Sequence, residues 1–183
     1  MERKVIGVLV GSLRKESYTK KLADSLCTLL PGDFEIRVLK IGNLPIYNQD
    51  YDDENRVPAE YAAFREALKT PDGFLFFTPE YNRSIPPVLK NALDTGSRPY
   101  GQNRWDGKPA GIVSVSPGLI GGFGANHHFR QSAATVNLII MPQPEAYISD
   151  AGALFDAEGK ISEHTKGFLQ IYADAFAAWV KRF

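Results

Sequence analysis

Short apolar runs alternate with amphipathic stretches along the whole chain, and this alternation restricts the fold more than any single residue. Lys4–Val10, Glu35–Ile41, Gly73–Thr78 and Ala110–Val115 have strand length, and a shorter run at Leu138–Met141 extends toward Ile148. Between and after them, apolar residues recur at helical spacing over Ser17–Leu30, Pro58–Lys69, Pro86–Asp94, Ala125–Asn137 and Glu163–Lys181. Strands that alternate with crossover helices lie parallel, because each helix returns the chain to the same end of the sheet. Phe74-Leu75-Phe76-Phe77 has no polar face, as expected of a central strand covered on both sides. The pattern predicts one α/β domain over residues 1–183, a doubly wound five-stranded parallel sheet in the order 2-1-3-4-5 with helices on both faces. Gly42 to Arg56 reads as a polar connecting loop rich in Asn and Asp.

In such sheets ligands bind beyond the carboxyl ends of the strands. Three unusual loops follow the first, third and fourth strands, which are neighbours in this order. The first, Gly11–Thr19, joins a strand to a helix whose leading N–H groups lack partners and carry partial positive charge. Ser12, Ser17 and Thr19 add hydroxyls and Arg14 a guanidinium, all donors to phosphate oxygens. The loop is neither GxGxxG nor GxxxxGK[ST]. One glycine among many hydroxyls suits a terminal phosphate dianion, which points to FMN rather than NAD or ATP. Ser17 and Thr19 also fit a plain helix cap.

The second loop runs from Thr78 to Pro87. Pro79 has no N–H and can pack flat on a ring, while Glu80, Tyr81 and Asn82 offer main-chain amides to an isoalloxazine edge. A Pro-capped turn that merely positions the next helix is the plainer reading. The third loop, Val115 to Gly124, has four glycines in the seven residues from Gly118, which permits close approach of backbone to a planar ring. Ser116 adds a hydroxyl for a ring heteroatom.

These three segments, with Leu-Lys-Asn-Ala-Leu-Asp after the second, resemble the NADPH-dependent FMN reductase family and in particular its bacterial chromate/quinone reductase branch. The resemblance runs from Val5 to about Tyr147. It implies a flavodoxin-like fold, bound FMN, and two-electron, ping-pong reduction of quinones by NADPH or NADH, with chromate or free flavin as further acceptors. The family's phosphate loop falls on Ser12, Arg14, Ser17, Tyr18 and Thr19. Its ring contacts fall on Pro79, Glu80, Tyr81 and Asn82, and its third loop on Val115, Ser116 and Gly118. No catalytic side chain is implied, because the flavin carries the chemistry. Arg83 and Arg98 are candidates to steer NAD(P)H phosphates or anionic acceptors, or are solvated surface arginines. The chain departs from the family at Thr19, often Asn, at Pro87, commonly a small residue, and at Thr95-Gly96, where Trp-Leu is usual. The last departure concerns the acceptor surface around Asp94–Tyr100.

Lys plus Arg number 21 and Asp plus Glu number 21, so the net charge is zero. That speaks against nucleic-acid binding by counterion release and against the charged docking face of a flavodoxin-type electron carrier. Such a carrier, or an FMN-based redox-responsive binding protein, is the alternative class. The single cysteine, the lack of a signal-peptide pattern and the lack of any membrane-length apolar run point to the cytoplasm without membrane insertion. Cys27 reads as a small buried residue, the adjacent His127 and His128 point different ways, and no metal site emerges. Trp105 and Trp179, with Phe176 and Phe183, read as packing or subunit contact. The stretch Arg98 to Trp105 has little apparent core to bury it, and Phe123, His127, Phe129 and Arg130 cluster on one helix. Both predict a homodimer or homotetramer whose neighbouring subunit walls the crevice, against a monomer with its own lid.

Overall fold

A computed structural model describes residues 3–156 and 158–183. The apolar runs form strands β1 (Lys4–Val10), β2 (Phe34–Val38), β3 (Gly73–Pro79), β4 (Pro109–Val115), β5 (Ile139–Ile140) and β6 (Ala146–Ile148). The helices are α1 (Tyr18–Cys27), α2 (Asp50–Asp53), α3 (Ala59–Ala67), α4 (Pro87–Gly96), α5 (Phe123–Thr135) and α6 (Glu163–Val180). These strands pair in parallel, in the expected order β2-β1-β3-β4-β5, with β6 also on β4. The fifth position is therefore split rather than continuous. Pro109 and Ala110 pair with β5, whereas Val113 to Val115 pair with β6. Pro142 and Pro144 lie between, and neither has an N–H to give a ladder.

Side-chain alternation along the strands sorts the core into two layers. Phe74 and Phe76 meet α3, α4 and α5 on one face; Leu75 and Phe77 meet α1 and α6 on the other. Several expectations change in this packing. Trp105 is fully buried against Phe74, at a ring distance of 4.9 Å, and its Nε1 donates to the Leu93 carbonyl at 2.9 Å. It fills the space over Gly96, where a Cβ would stand 2.6 Å from the indole. The Arg98–Trp105 stretch thus has a core anchor of its own, and Trp105 is no interface residue. Phe129 is likewise buried, 4.5 Å from Phe76.

The Gly42–Arg56 segment is more than a polar loop. It contains α2, whose Asp52 takes a bidentate pair from Arg65 at 2.6 and 2.8 Å, both side chains under a tenth exposed. Arg65 also donates Nε to the Thr95 carbonyl at 2.9 Å. Buried Asn91 accepts from Tyr47 N at 2.8 Å and donates to the Pro45 carbonyl, also at 2.8 Å, fastening the same segment to α4. Cys27 is half-buried, and burial, aided by Asp24, pushes its thiol up to about 12, so it stays protonated. Among the described residues no helix is long and apolar enough to cross a membrane.

Candidate functional site

Because β1, β3 and β4 are adjacent, the loops leaving their carboxyl ends converge. Between them opens a crevice of about 190 Å³. Its wall takes Ser12, Arg14, Ser17, Tyr18 and Thr19 from the first loop, Pro79, Glu80 and Tyr81 from the second, and Val115, Ser116 and Pro117 from the third. Asn82 and Gly118 stand just off this wall; Asn82 follows Tyr81 in the turn, and Gly118 accepts from Ser116 Oγ at 3.2 Å. Arg83 sits on the same turn, paired with Glu80 at 3.0 Å. Arg98 is not brought here: it lines a separate cavity of about 240 Å³ with Tyr47, Asp52 and Tyr100. Ala151, which sequence reasoning missed, completes the crevice because its N–H bonds to the Ser116 carbonyl at 3.2 Å. Only the pairing of β6 with β4 brings that residue near.

Ser17 is the N-cap of α1, its Oγ accepting from Lys20 N at 3.1 Å. The cap leaves the hydroxyl proton of Ser17 free, and the Tyr18 and Thr19 N–H groups have no intrahelical acceptor. Among the described residues, Arg14 is the one Lys or Arg side chain on the crevice wall. Hydroxyls, helix N–H groups and a guanidinium together match a phosphate dianion.

The second loop is a two-residue hairpin. Tyr81 and Ser84 exchange N–H to carbonyl bonds of 2.9 Å, and Asn82 and Arg83 both take positive φ, 49° and 68°. Tyr81 therefore spends its amide inside the turn. Of the three expected main-chain donors, those of Glu80 and Asn82 remain for a ring.

The third loop ends at Gly122, the N-cap of α5, with φ of 77° and no side chain to accept a hydrogen bond. Glu80 supplies the acceptor from across the crevice: its Oε2 takes the Ala125 N–H at 3.0 Å. Gly124 makes room, since a Cβ there would stand 2.9 Å from that oxygen. Ser84 Oγ and His128 Nδ1, 2.6 Å apart, form a second tie between hairpin and α5. His127 instead faces Tyr147, Nε2 to hydroxyl at 2.9 Å, so the two histidines do not converge. A glycine at a helix cap was the signal in the sequence that α5 needed a partner from elsewhere.

The crevice thus combines donors suited to an anion with two loops whose Pro79 and Val115 offer apolar surface to a flat ring. These groups fit FMN. Residues 4–153 match the family described as NADPH-dependent FMN reductase. A quinone reductase of Pseudomonas putida is 52% identical over 176 residues, spanning 96% of this chain and 94% of that protein. A 2-hydroxy-1,4-benzoquinone reductase of a Burkholderia species is 48% identical over 177 residues, 96% of each chain. The solved flavoenzyme NAD(P)H:(acceptor) oxidoreductase of Paracoccus denitrificans superposes with a TM-score of 0.89 at 41% identity, covering 98% of both chains.

Proposed function

Because the chain belongs to the NADPH-dependent FMN reductase family, we propose that the three-loop crevice is the FMN site of an NAD(P)H-dependent quinone reductase. The overall reaction consumes NAD(P)H, one proton and a quinone and yields NAD(P)⁺ and the hydroquinone. FMN, when bound, supplies the two-electron relay between the two substrates. The chain's own residues bind and orient it. Ser12, Arg14, Ser17 and Thr19, with the Tyr18 and Thr19 N–H groups, hold the phosphate. Pro79 and Val115 flank the ring, the Glu80 and Asn82 amides meet its polar edge, and Ser116 and Gly118 close the third side. Tyr81 shapes the hairpin. Arg83, exposed beside the crevice, steers anionic co-substrates, and metal oxyanions are proposed as secondary acceptors on the same guanidinium.

The observation that carries this reading is the placement of Arg14 and the α1 N-terminus on the same wall as the two ring loops. The double variant Arg14→Ala/Ser17→Ala tests it. Loss of a charge-assisted bond and a hydroxyl donor should weaken FMN binding by about 2–4 kcal/mol, roughly 30- to 700-fold. Loss of the cap should cost the apoprotein only about 1 kcal/mol. Flavin retained at wild-type occupancy after desalting would overturn the assignment.

The proposal extends to assembly as a homodimer or homotetramer. Its support is the third loop, where Leu119 is 93% exposed and Ile120 and Phe123 about half exposed, beside the crevice. A second copy would cover such side chains. A cytoplasmic location fits the free thiol of Cys27 and the use of NAD(P)H.

A further inference from the structure

The crevice is the smallest of three cavities that adjoin one another. A pouch of about 450 Å³ shares Arg14 and Tyr81 with it and is otherwise walled by Gly11, Leu13 and the α4 entry residues Pro86, Pro87 and Val88. Leu13 in turn stands between this pouch and a groove of about 680 Å³ that follows α1 along the edge strand β2. The groove opens because α1 packs mainly over β1, β3 and β4, so that on the edge strand β2 Ile36 is only half-buried and Val38 stands exposed. Its floor is carbon and sulfur: Val8, Val10, Ile36, Val38 and Cys27. Its charged members Lys20, Asp24 and Lys40 are exposed and reach water. Leu13 and Val38, 63% and 65% exposed, are large apolar side chains standing in solvent along the path. Leu13 is seated there by Gly42, where a Cβ would meet its Cδ2 at 2.8 Å.

We propose that pouch and groove bind the apolar side chain of alkyl- or prenyl-substituted quinones, whose head reacts at the crevice. The inference rests on the crevice being the flavin site, and it adds the substrate class: acceptors that carry a hydrocarbon tail. The quinone ring enters through the pouch between Tyr81 and the two prolines. The tail passes over Leu13 and lies on Val10, Ile36 and Val38. A charged tail gains nothing from the carbon floor. Burying one methylene is worth about fourfold in an equilibrium constant, and an open groove that covers half of each gives about twofold.

A series of 2-alkyl-1,4-benzoquinones from methyl to hexyl, assayed with the FMN-loaded protein, tests this. Wild-type kcat/KM should rise about twofold per methylene, roughly 30-fold across the series, through KM. Val38→Asp should flatten the rise while leaving methylbenzoquinone turnover and the FMN dissociation constant unchanged, and Val38→Leu should keep it. Both variants are read alongside thermal melts and sedimentation. No rise in the wild type, or the same rise in Val38→Asp, overturns the proposal. So does an assembly change in Val38→Asp with the rise intact, which makes the groove a subunit contact. A wrong flavin site shows separately, as unchanged FMN retention in Arg14→Ala/Ser17→Ala with no quinone present.

Discussion

Replacing Glu80 by alanine removes the carboxylate that ties the hairpin to the N-terminus of α5. Two contacts are lost. The bond from Ala125 N to Oε2, 3.0 Å long, involves a carboxylate that is 10% exposed and lies in the positive field of a helix start, so about 1.5–3 kcal/mol is at stake. The Arg83 contact adds little, because that guanidinium is 72% exposed and such pairs contribute about 0–1 kcal/mol. A loss near 2 kcal/mol should lower the melting temperature of a chain this size by about 4–8 °C. The functional consequence is larger slack between hairpin and third loop, which should weaken FMN binding about tenfold or more. Glu80→Gln keeps an oxygen for Ala125 and should recover most of both losses. Thermal denaturation of the apoprotein, with fluorescence titration of FMN into each variant, reads the two effects separately. An alanine variant that melts within 1 °C of wild type (roughly 0.3 kcal/mol) would refute the capping argument. Normal melting loss with unchanged FMN affinity would confine Glu80 to stability.

Arg65→Met should leave Asp52 buried without its cation and cost about 3–5 kcal/mol, measured by urea denaturation. The hydrogen bonds from Arg65 hold the Asp52 carboxyl below its ordinary value, against the opposing effect of burial. A depressed carboxylate stabilises the fold fully above its unfolded value of ~3.9 and loses that contribution as pH falls through the folded value. The gap in unfolding free energy between wild type and Asp52→Asn should therefore narrow below about pH 4, and a pH-independent gap would contradict the assignment. Sedimentation at micromolar concentration should show a dimer or tetramer, and Phe123→Glu should shift it toward the 20.3 kDa chain; a wild-type monomer would sink the shared-wall proposal.

How much of this was legible beforehand differs by element. The order of strands and helices was, because periods of two and 3.6 are written locally and a strand buried on both faces reads as a continuous apolar run, as Phe74–Phe77 does. The strand–turn–helix arrangement proposed as the anion cradle was too, since a strand, a hydroxyl-rich turn and a helix are contiguous in the chain. The role of the Glu80 carboxylate was not: its acceptor duty is set by Ala125, 45 residues away. Nor was the split of the fifth strand, the anchoring of Asp52 by Arg65, or the burial of Trp105 over Gly96, which looked like a surface insert until the space between α3, α4 and the sheet was defined. Local sequence determined which segments are strand, helix and the hydroxyl-rich turn proposed to take the phosphate, because backbone propensity and side-chain period act over a few residues. Tertiary structure alone decided which charges pair, which glycines are occupied from across the fold and which cavities adjoin, because those depend on distances between segments that no local pattern encodes.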